Sequence, residues 1–457
     1  QTGHNYSVLR SEFDPWLAQE AVEAGAQLMT ETTVTGLLTQ GGTETNGDEE
    51  TRADDVASVL GVSTSKGDFT SRLVLDCAGV TSTLVGASGL RDNLGPRQLY
   101  QSVKHVFRLA SGAEVEKRFK LREGEGRVIN CFGDFMLTVS GSGFIVTNRE
   151  TVSVGIIASL DSMVRAFTER FDVVGNLSDV LESFEAHPFL AEFLEGAQLV
   201  ESSSHNIPRG PTAMLKKPYA TGYLAAGDAL GAFIKIGPLF DGMRRAIASG
   251  IMAGETYLLA SESGSYRASN LSRYKDMLAP LYEDVNRSGR ESFFSESGMA
   301  YSTLPKFLFS SSLFTKRVKF EPRMALTAAP LASTRAAVDG PAAIVSVDVE
   351  AASKSSVKPW VPNCPVGCFS LLTPKGTFTS YRDLYATNLK LIAALPESKG
   401  GVNVLTYRET VKDVQEGTLV FDGSGCIGCG TCAAIGPEEL VSFEPGSPGR
   451  GVRYRFG

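Results

Sequence analysis

Four cysteines have the types and spacing of ligands for an iron–sulfur cluster. Cys426, Cys429 and Cys432 form a C-x2-C-x2-C run, and Cys364 lies far upstream, followed directly by a proline. Three thiolates on one tight loop can bind three irons of a [4Fe–4S] cubane, and a thiolate on a Cys-Pro turn can bind the fourth. Glycines let the loop wrap closely, with backbone N–H groups free to point at the sulfurs. The spacing therefore predicts a [4Fe–4S] site with these four ligands.

Zinc is the alternative occupant of such a site, and the spacing disfavours it. A zinc site usually combines two C-x2-C knuckles, or one knuckle with histidines. This chain lacks a second knuckle, and none of its four histidines lies near the cysteine run. Cys368, the remaining cysteine of this region, is predicted to be a small buried apolar side chain.

Composition limits the classes of protein to consider. A chain of 457 residues should form more than one domain. The net charge of −7 disfavours a nucleic-acid binder, which would normally carry a basic surface. We expect no membrane-spanning segment and no signal peptide, because no apolar stretch is long enough and the first residues are polar and uncharged. The cysteine pattern indicates metal binding in a reducing compartment.

The elements that must position the cysteines begin with an α/β pattern. A helix is predicted over Phe13–Ala24, with Asp14 as its N-cap before a proline. Strands are predicted at Thr33–Leu38, Val59–Thr64 and Arg72–Asp76, the last of which enters a glycine-containing turn. This order is typical of an α/β unit.

Strand-like runs replace this pattern between about residues 98 and 200, which predicts an inserted antiparallel sheet. Within it, Gly141–Gly143 is interpreted as a hairpin turn, since no third glycine follows to complete a dinucleotide fingerprint. Outside the cysteine loop, where Gly423, Gly425 and Gly428 match only the spacing, no G-x-G-x-x-G motif occurs, so the dinucleotide fingerprint between a strand and a helix is absent. The pyrophosphate-binding unit of a flavoprotein is therefore not encoded here.

A second, partial chemical signal is flavin-like. Asp228, after Gly227, follows an apolar strand and could accept hydrogen bonds from ribityl hydroxyls of a flavin dinucleotide. A turn containing Gly237 and Pro238 comes next, and Gly242 precedes a helix whose N-terminus would face the flavin's pyrimidine edge. A turn followed by a helix cap explains the Gly-Asp pair equally well.

Several motifs in order resemble the flavoprotein dehydrogenases of the electron-transfer-flavoprotein:quinone oxidoreductase type, and most closely their FixC branch. The C-terminal part is similar to the ferredoxin-like FixX partner of that branch. The segments that carry the resemblance are Tyr6–Asp14, Gly141–Asn148, Tyr223–Asp228, Gly242–Gly250, Cys364–Cys368 and Gly451–Gly457.

The resemblance implies a fold: an α/β FAD-binding domain of the glutathione-reductase-like type with an inserted antiparallel-sheet domain, plus a C-terminal α+β ferredoxin-like [4Fe–4S] domain. The implied boundaries are 1–97 for the first part of the FAD-binding domain, without its G-x-G-x-x-G unit, 98–200 for the sheet domain that takes substrate or quinone, 201–326 for the second FAD-binding part with a helical region, 327–356 for a linker, and 357–457 for the cluster domain.

The resemblance also implies an activity. Reduced electron-transfer flavoprotein, a two-subunit FixAB-like partner, would donate electrons through the cluster and FAD to a quinone. The residues that would contact FAD are Arg10, Gly227, Asp228, Gly237, Pro238, Gly242 and Met243. Without the resemblance, a surface salt bridge explains Arg10 equally well. The implied location is cytoplasmic, peripheral on the inner face of a membrane, or on the mitochondrial inner membrane in a eukaryote.

Three features depart from the family pattern. Cys77-Ala78-Gly79 replaces the family's A-D-G turn, Asp241 stands where the Fix branch has arginine, and a long insertion separates Cys368 from the cysteine run. None of these departures touches the four predicted cluster ligands.

Two mixed segments suit contact with a membrane surface, Leu304–Phe309 and Leu313–Phe320, because they combine bulky apolar and basic residues. Helices packed on the core with solvated lysines explain the same pattern.

Three other functions stay open at this stage. A flavin-dependent reductase of isoprenoid lipids shares the N-terminal and Gly-Asp features but need not carry a fused ferredoxin. A bifurcating Fix-type subunit would also reduce ferredoxin. An electron-transfer subunit would bind the cluster and lack its own FAD.

Overall fold

A computed structural model describes residues 6–40, 58–136, 139–169, 176–236, 239–296, 343–395, 401–437 and 439–446. The first region has these elements: α1 (Arg10–Glu23), β1 (Val34–Gln40), β2 (Ser58–Thr64), β3 (Gly67–Thr70), β4 (Val74–Asp76) and α2 (Leu84–Ala87). β1, β2 and β3 form an antiparallel sheet. The three strands predicted in this region are therefore confirmed within two residues at most ends.

The N-cap predicted for the first helix is wrong. The helix begins at Arg10, after Leu9, and Pro15 lies inside it. Asp14 instead accepts a 2.6 Å hydrogen bond from Arg10 Nη2, one turn earlier on the same face. The i,i+4 ion pair thus uses the carboxylate that the sequence assigned to the cap.

The predicted inserted sheet is present. Its region contains β5 (Leu99–Arg108), α3 (Gly112–Phe119), β6 (Val128–Cys131), β7 (Gly141–Thr147), β8 (Thr151–Ser159), α4 (Leu160–Val164), α5 (Leu177–Glu185), α6 (Pro188–Leu194) and β9 (Gln198–Pro208). The strand order is β6-β7-β8-β5-β9, and every neighbouring pair is antiparallel. β9 continues past the predicted boundary at residue 200.

This five-stranded sheet buries both of its faces. Alternate residues of β5, β7 and β8, among them Val103 and Ile145, join Phe184 of α5 in the main core on one face. On the other face Phe144 and Tyr100 join a smaller cluster with Phe233. A strand in the middle of such a sheet must place side chains for two different surroundings.

The hairpin turn predicted at Gly141–Gly143 is wrong, because these residues lie inside β7. A Cβ atom at Gly141 would collide with the Ile157 carbonyl of β8, and one at Gly143 would lie 2.8 Å from the Phe184 ring. The glycines therefore allow the β8 backbone and the Phe184 ring to approach closely. From the sequence alone, glycines required for such packing cannot be distinguished from glycines required for a turn.

The α/β pattern returns after the sheet, in a region that ends at residue 296. Its elements are α7 (Gly210–Ala213), β10 (Tyr219–Ala220), β11 (Tyr223–Ala225), α8 (Gly227–Leu230), β12 (Ile234–Ile236), β13 (Leu239–Asp241), α9 (Met243–Ser263), α10 (Ala268–Leu271), α11 (Arg273–Met277) and α12 (Ala279–Glu296). β11 pairs in parallel with β4 from the first region, with Leu224 opposite Leu75. One α/β unit is thus interrupted by the five-stranded sheet.

The C-terminal region is an α+β unit. It contains β14 (Ala343–Val347), α13 (Val349–Ser353), α14 (Trp360–Asn363), β15 (Phe369–Thr373), β16 (Gly376–Phe378), α15 (Tyr381–Ala393), α16 (Val402–Glu416), β17 (Thr418–Phe421), α17 (Thr431–Ile435) and β18 (Val441–Pro445). One sheet has the order β16-β15-β17, and β14 pairs with β18. The last part of the segment predicted as a linker, 327–356, therefore belongs to this unit from residue 343 onward.

Polar contacts join the C-terminal unit to the sheet region. Arg382 Nη1 of α15 donates to Asp179 Oδ1 of α5 at 2.7 Å, and Asn363 Nδ2 donates to Thr168 Oγ1 at 3.4 Å.

None of the helices in the described ranges is both long and apolar enough to cross a membrane. The two segments predicted to contact a membrane surface, 304–309 and 313–320, lie outside the described residues.

A carboxyl group beside this contact should make stability depend on pH. Burial, reinforced by the negative charges of Asp179 and Glu185, raises the pKa of Glu182 to about 7, while His105 and Arg382 partly oppose the rise. A raised folded-state pKa means that stability is fully present below the unfolded pKa and is lost as pH rises through about 7.

We expect Glu182→Gln to raise the free energy of unfolding at pH 8 by about 1 kcal/mol, after allowance for solvent screening of this half-buried group, and to change it little at pH 5. Urea unfolding at the two pH values measures the effect, with the exposed Glu192→Gln as control. An equal change at both pH values would contradict the assignment.

A second prediction concerns the packing of the C-terminal unit. A Cβ atom at Gly436 would lie 2.5 to 2.8 Å from atoms of the Trp360 indole, which is fully buried and donates from Nε1 to the Cys432 carbonyl at 3.1 Å. Gly436→Ala should therefore destabilise the protein by about 1–3 kcal/mol in thermal or urea unfolding. Gly250→Ala is the control: nothing lies within 4 Å of its Cβ, and alanine favours the helix. Equal effects of the two changes would refute this packing argument.

Candidate functional site

The first predicted ligand, Cys364, caps the short helix α14. Its amide donates to the Trp360 carbonyl at 3.0 Å, and the turn after it closes at Gly367, whose φ of +66° suits glycine. The Cys368 amide donates to Cys364 Sγ at 3.3 Å. A hydrogen bond from the Cys368 thiol, assisted by backbone amides, lowers the pKa of the Cys364 thiol against the opposing effect of burial. The Cys-Pro turn therefore presents a sulfur that already accepts hydrogen bonds.

The three-cysteine loop begins after a short 3-10 turn at Gly423–Gly425. Gly428 and Gly430 have φ values of +71° and +76°, a conformation that lets the loop coil between its cysteines. The Gly428 amide points at Cys426 Sγ, 3.4 Å away. An amide directed at a sulfur is thus present at this ligand as at Cys364, as the glycine pattern predicts.

The loop and the Cys-Pro turn converge on one small cavity. All four predicted ligands line it, and no charged side chain is among its described lining residues. Apolar atoms dominate the lining, with Trp360 and Phe443 among the aromatic contributors. The structure thus brings together Cys364, Cys426, Cys429 and Cys432, which 68 residues of sequence separate at the widest.

Burial controls the chemistry of these thiols. It raises the pKa of Cys429 to about 12 and that of Cys432 still further, each with help from the charges of neighbouring cysteines. Buried thiols of this kind stay protonated at neutral pH unless a cation replaces their protons. Cys368 also lines the cavity, and its pKa is raised by hydrogen bonds to Cys364 and Cys426 as well as by burial. It is buried, as the sequence predicts.

The described residues contain no preformed site for a single metal ion. Among the residues that the structure describes, no three His, Cys, Asp or Glu side chains come close enough together to hold a single ion. A tetrahedral zinc site brings all four ligands to one centre, whereas each thiolate around a cubane binds a different iron. The donor set of four thiols in an apolar cavity is compatible with the larger group.

The cluster loop contacts the five-stranded sheet through Thr431. The Thr431 hydroxyl accepts from Gln101 Nε2 at 2.9 Å and donates to Asn206 Oδ1 at 3.0 Å. Gln101 and Asn206 are directly opposite each other on β5 and β9. Sequence reasoning missed this contact, because the partners lie 225 and 330 residues away.

Asp228 and Arg10, two of the residues predicted to contact FAD, are close enough to interact. Asp228 follows β11, in the short helix α8, and burial raises the pKa of its carboxyl group while the positive charge of Arg10 opposes the rise. Arg10 is exposed and its pKa is raised, first by the hydrogen bond to Asp14 and more weakly by Asp228. The salt bridge considered for Arg10 is therefore present.

The glycines predicted around the flavin have local structural roles. Gly227, with a φ of +62°, donates from its amide to Ser249 Oγ of α9 at 2.9 Å. Gly242 caps α9, which begins at Met243, and a Cβ atom on Gly242 would lie 2.8 Å from the Phe233 ring. The structure thus packs the Gly227 turn against the first turns of α9.

Gly237 and Pro238 lie outside the described residues.

Asp76 is a buried carboxylate whose contacts the sequence did not indicate. It ends β4 and accepts hydrogen bonds from the Ala78 amide at 2.9 Å, the Ser82 hydroxyl at 2.6 Å and the Tyr223 hydroxyl at 2.6 Å. These contacts close the turn Cys77–Gly79 and tie β4 to β11. A carboxylate two residues before the position of the family's aspartate is the only sequence signal for it.

Lys104 and His205 form a second polar group that sequence reasoning missed. They lie diagonally on β5 and β9, with side chains on the same face of the sheet, since Ser102 is opposite His205 and Ser203 opposite Lys104. Burial lowers the pKa of Lys104 and, helped by the charges of Lys104 and Arg10, lowers that of His205 to about 4. His205 is exposed and Lys104 is half-buried, so this group is open to solvent.

The sheet therefore has a cysteine face and a second face. Gln101 and Asn206 project toward Thr431, while the next residues along the same strands project to the opposite side. On that opposite side lie Lys104 and His205, close enough to Arg10 to interact. One pair of strands thus separates the cavity with the four cysteines from Arg10, one of the residues predicted to contact FAD.

The sequence is similar to those of several known bacterial proteins. The chain is 31% identical over 313 residues to "Protein FixC" of Shigella flexneri, an alignment that covers 68% of this chain and 64% of that protein. FixC of Azorhizobium caulinodans is 30% identical over 312 residues, with the same coverage. The "probable electron transfer flavoprotein-quinone oxidoreductase YdiS" of Escherichia coli K12 is 29% identical over 271 residues, 59% of this chain and 58% of that protein. The chain therefore spans less than two thirds of the length of these relatives.

Similarity to solved structures is weaker, both in sequence identity and in TM-score. A geranylgeranyl bacteriochlorophyll reductase-like protein from Thermoplasma acidophilum has a TM-score of 0.45 at 16% identity, covering 68% of this chain and 76% of that chain. CabE, an aromatic hydroxylase from angucycline biosynthesis, has a TM-score of 0.41 at 17% identity, covering 85% and 67%. No family model matches the chain.

The relatives confirm the resemblance that the motifs predict. FixC proteins from different bacteria align with 30% identity or more over about two thirds of this chain, and a protein named as a flavoprotein-quinone oxidoreductase aligns over a similar length. The chain belongs to the FixC-type flavoprotein dehydrogenases.

Proposed function

We propose that this chain transfers electrons from reduced electron-transfer flavoprotein, through a [4Fe–4S] cluster and FAD, to a quinone. The cluster would be held by Cys364, Cys426, Cys429 and Cys432. The names of the relatives support the donor and acceptor classes, since YdiS is described as a probable electron transfer flavoprotein-quinone oxidoreductase. The C-terminal unit would then act as a FixX-type ferredoxin-like domain fused to a FixC-type flavoprotein.

One observation carries the proposal. Four cysteines from a Cys-Pro turn and a C-x2-C-x2-C loop line a single apolar cavity, and this cavity lies against a sheet whose other face approaches Arg10. An electron carrier needs its two redox groups near each other and separated from bulk water. The described arrangement offers a site for each group on the two sides of one pair of strands.

The residues present fit a cluster. When bound, a [4Fe–4S] cluster carries single electrons and FAD accepts one or two, which matches one-electron donors to a two-electron acceptor. The apolar lining excludes water from the sulfurs, and amides of Cys368 and Gly428 direct N–H groups at Cys364 and Cys426. Such hydrogen bonds stabilise the negative charge that thiolate ligands carry.

The residues predicted to bind FAD supply complementary groups. The Asp228 carboxylate can accept hydrogen bonds from ribityl hydroxyls, Arg10 can neutralise phosphate charge, and the N-terminus of α9, a helix of 21 residues, favours negative charge. Gly242 and Met243 begin that helix. Gly227 and Asp228 directly follow β11, which pairs in parallel with β4, and ligands of such sheets bind at the carboxyl ends of the strands.

The face of the sheet that carries Lys104 and His205 suits the acceptor. Reducing a quinone to a quinol takes up two protons with the two electrons. Lys104 Nζ, whose pKa burial lowers, can donate a proton to a carbonyl oxygen more readily than an exposed lysine can.

An electron-transfer subunit that binds the cluster but not FAD is the second candidate, and α1 favours it. No residue of α1 is buried, and Trp16 and Leu17 are 55% and 45% exposed. Among the described residues, α1 therefore does not pack its apolar side chains against the predicted flavin site.

The absorption spectrum of anaerobically purified protein, with iron, sulfide and released-flavin counts, distinguishes the two candidates. Cluster with FAD supports the quinone oxidoreductase, which should then reduce a soluble quinone at the expense of reduced electron-transfer flavoprotein. Cluster without FAD supports the electron-transfer subunit. Zinc without iron would refute both.

We expect Cys429→Ser to abolish the cluster, because a serine hydroxyl is a poor substitute for a buried thiolate. Iron and sulfide counts and the visible absorption of the cluster measure the loss. Cys77→Ser is the matched control, since Cys77 is exposed and does not line the cavity. Full iron content in Cys429→Ser would contradict the ligand assignment.

If the chain binds FAD, Asp228→Ala should weaken that binding about 10- to 100-fold, because a hydrogen bond to a charged group contributes about 1.5–3 kcal/mol. Titration of the FAD-free protein with FAD, followed by flavin fluorescence, gives the dissociation constant. Asp276→Ala, at an exposed aspartate of α11, should leave it unchanged. Equal affinities of Asp228→Ala and the unmodified chain would exclude the assigned contact.

A further inference from the structure

Thr431 occupies an unusual position between two domains and a cluster ligand. It lies between Cys429 and Cys432 in sequence, and its side chain is 1% exposed. Its hydroxyl oxygen lies 2.9 Å from Gln101 Nε2, 3.0 Å from Asn206 Oδ1 and 3.4 Å from Cys429 Sγ. One hydroxyl therefore links two strands of the sheet to a predicted ligand.

The two amides that hold Thr431 are rigidly placed. Gln101 is fully buried and Asn206 is 3% exposed, and they are paired across β5 and the edge strand β9. Gln101 Oε1 has no hydrogen-bond partner among the described residues. A buried amide with an unused acceptor is costly for folding, which indicates that its donor contact with Thr431 has a purpose beyond packing.

Counting hydrogens shows what changes when Cys429 ligates iron. A hydroxyl has one hydrogen to donate and two lone pairs that accept. With Cys429 as a thiol, the thiol donates to Thr431, which donates to Asn206. A ligating cysteine is a thiolate and can only accept. A 180° rotation of the Asn206 side-chain amide exchanges its oxygen and nitrogen at nearly the same positions. Both Gln101 and Asn206 then donate to the Thr431 oxygen, and the Thr431 hydrogen is free to bond the Cys429 sulfur.

We propose that Thr431 is a positioning residue that sets the reduction potential of the cluster from the sheet. Held by donors from Gln101 and Asn206, its hydroxyl donates to Cys429 Sγ and stabilises the more negative, reduced state. Hydrogen bonds to the sulfurs are one of the terms that determine the potentials of such clusters. This inference rests on the proposed function, because it requires the cluster.

A contact that only docks the two units would behave differently. Arg382 with Asp179, and Asn363 with Thr168, already join them away from the sulfurs. Loss of a docking bond would weaken the interface without a defined direction of change in potential. Loss of a hydrogen bond to a ligand sulfur lowers the potential.

The test compares midpoint potentials in the full chain, from redox titrations followed by electron paramagnetic resonance. Thr431→Val should shift the potential to lower values with iron content unchanged, and Thr431→Ser, which keeps the hydroxyl, should stay near the unmodified value. Thr406→Val is the matched control, because Thr406 is also fully buried but bonds only the Val402 carbonyl within α16.

Asn206→Leu separates the two roles of the contact. It removes a docking bond but leaves the Thr431 hydrogen free to donate to Cys429, so the potential should stay at or above the unmodified value. A potential of Thr431→Val equal to that of the unmodified chain, or an equal lowering in Asn206→Leu, would overturn the inference. Absence of a cluster from the unmodified chain would instead overturn the proposed function, so the two failures are distinguishable.

Discussion

The described architecture depends on β5, an interior strand of the five-stranded sheet. β8 and β9 both pair with it along nearly its whole length, so its side chains alternate between two buried surroundings. Val103 faces the main core, Tyr100 faces the smaller aromatic cluster, and Gln101 reaches the cysteine loop. A shift of one residue in its register would exchange these contacts between the two faces. Both candidate sites are therefore positioned by the pairing of one strand.

The second constraint is the burial of several thiols in one apolar cavity. Burial raises the pKa of Cys429 and Cys432, which keeps these side chains neutral until a cation takes the place of their protons. At Cys364 the hydrogen bonds from the following turn act in the opposite direction and lower the pKa. Hydrogen bonds at the Cys-Pro turn therefore oppose the effect of burial that dominates at Cys429 and Cys432.

Local sequence rules succeeded where the relevant contacts are close along the chain. The C-x2-C-x2-C run, the strands of the first region and the antiparallel character of the inserted part follow from spacing and periodicity. They failed where a residue's partner lies on another element. Gly141 and Gly143 suggested a turn, but the strand β8 and the Phe184 ring require them to be glycine. One failure was local: Asp14 suggested a helix cap, but the helix begins earlier and Arg10 of the same helix pairs with it.

The sequence by itself determined the ligand types, the order of α/β, sheet and α+β regions, and the relationship to FixC proteins, because these depend on residue identity and local spacing. Only the tertiary structure decided how the sites relate. The pairing of β4 with β11 and of β5 with β9 joins segments about 100 to 150 residues apart, and no local pattern encodes which strands meet. That pairing brings Thr431 to Gln101 and Asn206, and His205 to Lys104, on the two faces of one sheet. The reason is physical: side chains on a strand alternate, so the partner strand and its register decide which chemistry each face carries.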